Sequence, residues 1–319
     1  MRETIKEGVF IAWRKIASRT RDLSRRLGLK LIFLRGFPPY IYETLKLPLD
    51  ILSNAKIVFL QIPQGLLLFD GIMLKKIYDY FLVADVHTGF LLPDSYKLKV
   101  LNLQFKSLLR FVDLIIVHNY DIVNFISSEL RDKVHVLYDP PINYFKWRGF
   151  GDYIIIPSSG HSDEPIDIVI RSIEKAGVFD RVYITGPHKP RKMKLGKISI
   201  IFTGFLPLDK YLELVSNCKL LIALSSREFS FLRAAWEALC SNTPFILSYT
   251  RTLRKIYSTL PVWAFIKTHS TDHITRSIVT AYRKYDELVQ SISALRKKLI
   301  EHAERQLDEL LKIVSTRIS

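Results

Sequence analysis

The sequence predicts an α/β protein made of two similar units in series, and three observations predict it. Short, nearly all-apolar runs rich in β-branched residues alternate with helical patterns, as parallel strands covered on both faces require. The alternation breaks at Asp139-Pro140-Pro141-Ile142-Asn143, with Gly149 and Gly151 following, a stretch that continues neither helix nor strand, and then it restarts. The chain has 319 residues, about two domains at roughly 150 residues each.

In the first half the strand candidates are Val9 to Trp13, Lys30 to Leu34, Lys56 to Gln61, Phe81 to Asp85, Asp113 to His118 and Val134 to Tyr138. Helical patterns lie between them at Arg14 to Leu27, Tyr40 to Leu52, Lys97 to Phe111 and Asp121 to Leu130. After the break, strands are expected near Tyr153 to Pro157, Arg181 to Thr185, Ser199 to Thr203, Lys219 to Leu224, Pro244 to Ser248 and Val262 to Ile266. Helices are expected from Glu164, Leu208, Ser230, Thr250 and Thr271, and a long charged amphipathic helix runs from Tyr285 to near Ile318. The domains are drawn as 1–145 and 146–319, with the last helix a candidate to cross back, and two such units in series imply a cleft.

Hydrophobic residues make up 48% and charged residues 24%, a globular composition that argues against disorder. The net charge of +16 points to an acidic partner: nucleic acid, an anionic membrane face or phosphorylated ligands. Each half contributes equally, 22 − 14 = +8 for residues 1–150 and 25 − 17 = +8 for the remainder, so no basic tail explains the excess. Cys218 and Cys240 have no His or Cys neighbours to form a metal template, and a reducing compartment is the simplest reading. The most apolar stretch, Ile57 to Leu74, is interrupted by Gln61, Pro63, Gln64 and Asp70, short of the ~18 clean apolar residues of a spanning helix. Arg14, Arg19, Arg21, Arg25 and Arg26 follow the first apolar run, the reverse of a secretory signal, so a cytoplasmic protein is expected.

In open parallel sheets ligands bind where strands end, so the strand exits carry the functional candidates. Asp85-Val86-His87 places a carboxylate two residues from an imidazole, able to hold its tautomer for proton transfer or for hydrogen bonding to a sugar hydroxyl. Ser158-Ser159-Gly160 through Pro165 suits either a phosphate at free N–H groups or a simple N-cap from Ser162 or Asp163, with Pro165 in the first turn. Thr185-Gly186-Pro187-His188 and Thr203-Gly204-Phe205 are weaker signals, since glycine at a strand exit often only permits a tight turn. The strongest constellation is Leu221 to Ser230 continuing to Leu239: an apolar strand ends in Ser225-Ser226-Arg227-Glu228, and a helix begins near Ser230 with Glu237 about two turns in. Such a helix N-terminus with Arg227 favours a diphosphate, and its carboxylates accept hydrogen bonds from sugar or ribose hydroxyls.

At these residues the chain resembles the GT-B glycosyltransferases, specifically the group related to family four, in which two Rossmann-like domains face each other across a cleft. The resemblance covers most of the chain. Its most specific part runs from Thr203-Gly204-Phe205-Leu206-Pro207 through Ser226-Arg227-Glu228 and Trp236-Glu237-Ala238-Leu239 to Pro244-Phe245-Ile246-Leu247-Ser248, supported by the Asp85-Val86-His87 turn and by Val136 to Pro141. It implies a nucleotide-sugar donor in the second domain, with Glu237 on the ribose, and a lipid-linked or glycan acceptor in the first. The donor candidates are then Ser158, Ser159, Gly160, Thr185, Gly186, Lys189, Thr203, Gly204, Arg227, Ser230 and Glu237, with Asp85, His87 and Glu228 as catalytic candidates. Two departures stand out: Glu228-x8-Glu237 is one residue longer than the family's Glu-x7-Glu, and the usual Arg and Lys are absent from Ser158 to Pro165, leaving Arg227, Lys189 or Arg233 to neutralise the diphosphate. The family's Gly-rich acceptor loop is replaced by Ala12-Trp13-Arg14-Lys15, which makes Trp13 and Arg14 the acceptor candidates.

No Asp-x-Asp occurs, so transfer is expected to need no metal and no cofactor beyond the nucleotide sugar, with retention the family expectation. Residues 1–30 carry nine basic and three acidic side chains, 9 − 3 = +6, on a pattern with Phe10, Ile11, Trp13 and Ile16 that suits anionic lipid, hence an expected peripheral membrane contact. The rival readings are a sugar-nucleotide epimerase or glycoside phosphorylase, a non-catalytic relative, and a nucleic-acid binder. The last lacks zinc-finger spacing, an RNP-type strand and a basic tail, so no nucleic-acid partner is expected.

Overall fold

A computed structural model describes residues 5, 7–13, 15–34, 54–62, 65–93, 96–142, 151–267 and 270–316. The chain divides into one unit of Met1–Pro140 with His302–Ser319 and a second of Pro141–Glu301. The first therefore ends five residues before the expected boundary, and it includes the tail of the last helix.

The first unit contains β1 (Gly8–Trp13), α1 (Ser18–Leu27), β2 (Lys30–Leu34), β3 (Ile57–Ile62), α2 (Leu66–Tyr78), β4 (Phe81–Val86), α3 (Tyr96–Lys106), β5 (Leu114–Val117) and β6 (Val134–Val136). Its strands form one sheet in the order β2-β1-β3-β4-β5-β6, parallel throughout. β1 and β3 are buried along their whole length, as their unbroken apolar runs require. Phe10, Phe59, Val83 and Ile116 form one core with Leu23 and Leu27 of α1 and with Leu307, Leu310 and Val314. The last three come from the 31-residue α9 (Tyr285–Ser315), which supplies residues to both units. Its anchorage in the first unit is also polar: the His135 ring donates to the Gln306 carbonyl at 2.8 Å, and Gln306 Oε1 accepts from the Tyr138 amide at 3.0 Å.

The second unit contains β7 (Ile154–Pro157), α4 (Ile166–Ala176), β8 (Arg181–Thr185), β9 (Arg191–Leu195), β10 (Ile198–Gly204), α5 (Leu208–Asn217), β11 (Leu220–Ala223), α6 (Arg233–Ser241), β12 (Phe245–Ser248), α7 (Arg251–Ile256), β13 (Phe265–Ile266) and α8 (Thr271–Arg283). The sheet order is β13-β12-β11-β7-β8-β10-β9. All pairs are parallel except β9, which joins β10 antiparallel at the edge.

Several expectations are corrected. The helix expected from Arg14 starts only at Ser18, as α1, while the strand before it ends at Trp13 as expected. Asp121 to Leu130 is not one helix but parts of two 3₁₀ segments, Tyr120–Phe125 and Ser128–Lys133. Val262 to Ile266 is strand only at its last two residues. α2 and β9 were not expected: α2 is apolar nearly all round and carries no readable stripe, and β9 is exposed at four of its five positions. Cys218 lies just past the end of α5 and Cys240 lies within α6; both are buried. The helix expected at Tyr40 to Leu52 lies outside the described residues, as do Arg14, Asn143 and Gly149.

Candidate functional site

Both sheets gather polar side chains at their carboxyl edges, and the two edges differ in chemistry. In the first unit the centre is Arg19, near the start of α1, buried to 7% exposure. Its Nε donates to Asp85 Oδ1 at 3.0 Å, at the end of β4, and its Nη1 donates to Asp139 Oδ1 at 2.9 Å, beyond β6. Both carboxylates are buried, so one guanidinium ties α1 to two strand exits through a dry ion triad. The remaining amino group, Nη2, is buried without a hydrogen-bond partner. Burial pushes the Asp85 carboxyl up, but the Arg19 charge and the His87 hydrogen bond outweigh it and hold it at about 2.

His87 follows β4 and opens a single helical turn, Thr88–Leu91. Its Nε2 lies 3.4 Å from Asp85 Oδ2, so the carboxylate lies within reach to orient the ring. His118, at the exit of β5, meets the Thr88 hydroxyl at 3.0 Å through Nε2. Burial, reinforced by the Arg19 charge, pushes the His118 imidazole down to about 4. The folded chain thus refuses a proton that the unfolded chain accepts near 6.5. Stability is full above pH 6.5 and is expected to fall by up to about 3 kcal/mol on acidification towards pH 4. His118→Gln should flatten that slope in denaturant titrations at pH 7 and 4.5.

Trp13 is the last residue of β1 and only 2% exposed. It packs in the core because the alternation places it on a doubly covered strand, so it offers no surface to an acceptor or to lipid. Phe10 and Ile11 are buried with it, which removes the apolar face expected of a basic N-terminal helix.

In the second unit the turn after β7 is closed from within. The Glu164 carboxylate accepts from the Ser158 hydroxyl at 2.7 Å, the Ser159 amide at 2.9 Å and the Gly160 amide at 3.3 Å. The N–H groups expected to meet a phosphate are therefore already satisfied. Neither Ser162 nor Asp163 caps α4, whose N-cap is Pro165. Asp163 turns instead to the exit of β11: its carboxylate accepts from the Ser225 hydroxyl and pairs with Arg227 Nε at 3.2 Å. Neighbouring strand exits lock together similarly. The Thr185 carbonyl accepts from the Ser158 amide at 3.1 Å, and the Ser158 hydroxyl lies 3.3 Å from His188 Nε2. Gly186 has φ +115°, and a Cβ there would lie 2.0 Å from the Ser158 carbonyl oxygen, so the turn requires glycine. The Gly204 carbonyl accepts from the Gly186 amide at 3.1 Å and from the Thr203 hydroxyl at 2.8 Å. Lys189 is exposed.

α6 starts at Arg233, three residues later than expected, so Glu237 sits just past its first turn rather than two turns in. The carboxylate is 5% exposed. Its Oε1 accepts from Arg233 Nε at 2.8 Å and its Oε2 from the Tyr211 hydroxyl at 2.9 Å. Burial first, and then the Glu237 charge, keep the Tyr211 phenol protonated, with its pKa far above the usual range. The α6 N-terminus has no side-chain cap and no acid in its first turn, so its first N–H groups carry the positive end of the helix dipole without a side-chain acceptor. Ser230 is half-buried in the preceding loop. Glu228 is used differently: its Oε1 accepts from the Thr252 amide at 3.2 Å, in the first turn of α7, a capping role that ties it to the backbone.

Arg19 and Asp139 of the triad, His118, and the internal ligands Glu164, Asp163 and Tyr211 were not among the expected site residues. The one local signal for His118 was a polar residue at the exit of an apolar strand. Arg19 gave none, because its partners lie 66 and 120 positions away.

Two parallel α/β sheets, each with a polar carboxyl edge, define a two-unit α/β class. Solved structures share this fold across nearly the whole chain. HepE (Alr3699) of Anabaena, in complex with UDP and glucose, superposes with a TM-score of 0.74 at 13% identity, over 97% of this chain and 99% of that one. An alpha-glucosyltransferase in complex with UDP and a 13-mer DNA gives 0.67 at 11% identity, over 97% and 99%. A glycosyltransferase from Rickettsia africae gives 0.64 at 11%, over 98% of both chains. No known family model and no curated protein sequence matches the chain.

Proposed function

We propose that the protein is a glycosyltransferase that moves a sugar from a nucleoside diphosphate sugar to a hydroxyl of a glycan or lipid-linked acceptor. The observation that carries this reading is the α6 corner: an uncapped helix N-terminus with Arg233 held by buried Glu237, on a fold shared with UDP-bound structures. The second unit binds the donor. Its diphosphate lies at the α6 N-terminus, where the helix dipole, Arg233 and Arg227 offset the charge that grows as the sugar–phosphate bond breaks. A carboxylate has about four acceptor sites, so Glu237 has lone pairs left for ribose hydroxyls beside its bonds to Arg233 and Tyr211. Transfer by these groups needs no metal, and the resemblance to the family-four group supports retention.

The first unit binds the acceptor. There His87, oriented by Asp85, takes or donates the proton at a sugar or acceptor hydroxyl. The basic balance, +16, suits an acceptor that carries phosphate.

UDP is expected to raise the melting temperature of the full chain, because a ligand that binds only the folded state adds about 2.7 kcal/mol at a concentration 100 times its Kd. Glu237→Gln keeps the Tyr211 bond but weakens the hold on Arg233, and it should reduce UDP affinity about tenfold or more. Stabilisation by duplex DNA with none by any nucleotide would overturn the reading. A second reading, a non-catalytic relative, draws on Glu164, which fills the first loop's N–H groups from within. That relative would bind UDP without ever releasing sugar from UDP-glucose.

A further inference from the structure

Two adjacent helices of the first unit turn apolar residues outward. α2 presents Phe69, Met73 and Ile77 at spacing i, i+4, i+8, with Ile77 69% exposed. α3, which packs against α2, presents Tyr96 at 80%, Val100, and Leu103 at 68%. The inward positions of both helices are already filled: Leu67, Leu68 and Ile72 of α2 are buried, as is Asn102 of α3, whose amide donates to the Phe90 carbonyl at 3.1 Å. The outward stripes are therefore surplus to the core. An ordinary surface helix reverses this order and shows its polar face to water.

The charges on the same elements are of one sign. Lys75, Lys76, Lys97, Lys99, Lys106 and Arg110 lie on α2, α3 and the 3₁₀ segment Ser107–Phe111 that follows, against the single acid Asp70. Lys75 is paired with Asp113, just past that segment, and Lys106 donates to the Leu91 carbonyl at 2.8 Å, which leaves Lys76, Lys97, Lys99 and Arg110 as the cations of the face. Lys97 and Lys99 are both exposed and flank the Tyr96–Val100–Leu103 stripe on its two sides. Burial, with the neighbouring Lys99 charge adding to it, holds the Lys106 ammonium below its usual range. Past α3 lies a cavity of about 360 Å³ with Leu109, Phe125, Ile126 and Leu130 beside Lys106, Arg110 and the acid Glu129 in its walls.

We propose that this α2–α3 face seats the protein on an anionic lipid bilayer, its aliphatic and aromatic side chains entering the headgroup boundary and its lysines meeting lipid phosphates. Aromatic and aliphatic side chains between lysines match that interface. Nucleic acid fits less well, since long aliphatic side chains find no partner on a phosphate backbone. A second copy meeting the same face would set like charges against like across a two-fold axis. The proposal does not rest on the donor reading, and its test measures lipid rather than nucleotide.

The test is co-sedimentation of the full chain with vesicles of phosphatidylglycerol in phosphatidylcholine and with phosphatidylcholine alone. Binding is expected to the anionic vesicles and to fall with salt. Lys97→Ala and Lys99→Ala should each weaken it about fivefold. Ile77→Ser with Leu103→Ser should weaken it at least tenfold, and because both side chains are exposed, neither the melting temperature nor the UDP-induced shift should change. Lys192→Ala with Lys194→Ala, which removes the same charge from exposed positions of β9, should have little effect. An equal loss from the β9 pair would overturn the proposal in favour of charge alone. Undiminished vesicle binding by the serine variant would overturn it as well. So would self-association or DNA binding that the serine variant abolishes while wild type ignores vesicles.

Discussion

Arg19→Leu is expected to destabilise the protein by about 3–5 kcal/mol at pH 7, the usual result when one partner is removed from a buried ion cluster. The leucine fills part of the space, but Asp85 and Asp139 then face each other's surroundings without a cation, both nearly inaccessible to water. The sign of the pH dependence separates this cause from lost packing. In wild type the Asp85 carboxyl sits at about 2 against an ordinary 3.8. Its contribution is therefore fully present above pH 3.8 and disappears as the pH falls towards 2. In the variant only His87 still opposes burial, so the Asp85 carboxyl rises and the deficit relative to wild type should shrink as the pH falls. Urea titrations at pH 7, 5 and 4 measure how that deficit changes over a range in which the wild-type Asp85 contribution is constant. A variant that parallels wild type at all three would show that the triad contributes packing alone. Asp85→Asn and Asp139→Asn, added to Arg19→Leu, should restore part of the loss at pH 7, because the neutral amides remove the stranded charges.

His87→Ala is expected to lower the rate of sugar transfer about 10²- to 10⁴-fold, the range for loss of a positioned proton-transfer group. The substitution removes a half-exposed ring and leaves the Arg19 triad intact, so thermal stability should change little. UDP binding should also persist, because the residues proposed to hold the nucleotide belong to the second unit. Comparison with Asp85→Asn sharpens the assignment. Asparagine keeps the position but removes the carboxylate that lies within reach to orient the ring, so the rate should fall while UDP binding persists. If His87→Ala alters only the KM for acceptor, the ring orients the acceptor without moving a proton.

The strands of both sheets were legible because a doubly covered parallel strand must be apolar at successive positions, and few other local structures in a soluble domain demand that. Arg181–Thr185 and Lys30–Leu34 coincide with their expected bounds, and the turn residues at the strand exits followed. β9 was not legible. Arg191-Lys192-Met193-Lys194-Leu195 is an edge strand whose outer side faces water, and its pairing with β10 comes from a neighbour rather than from its own pattern. α2 was missed for the opposite reason: Leu66 to Leu74 is apolar on nearly every side, and a stripe is visible only against a polar background.

The candidate site divides along the same line. By itself the sequence determined that Asp85, His87 and Arg227 stand at or beside strand exits and that Glu237 lies in the helix after one, because strand periodicity and turn chemistry act over a few residues. The tertiary structure alone decided their states of charge and engagement. Arg19 looked like one more arginine of a basic helix, and it is the buried hub of two carboxylates from distant strands. Glu164 looked like a residue beside a phosphate loop, and it fills that loop. Glu228 looked catalytic, and it accepts from the first turn of α7. A side chain's local sequence sets which bonds it is able to make; desolvation and the nearest opposite charge, both supplied by remote segments, select the ones it does make.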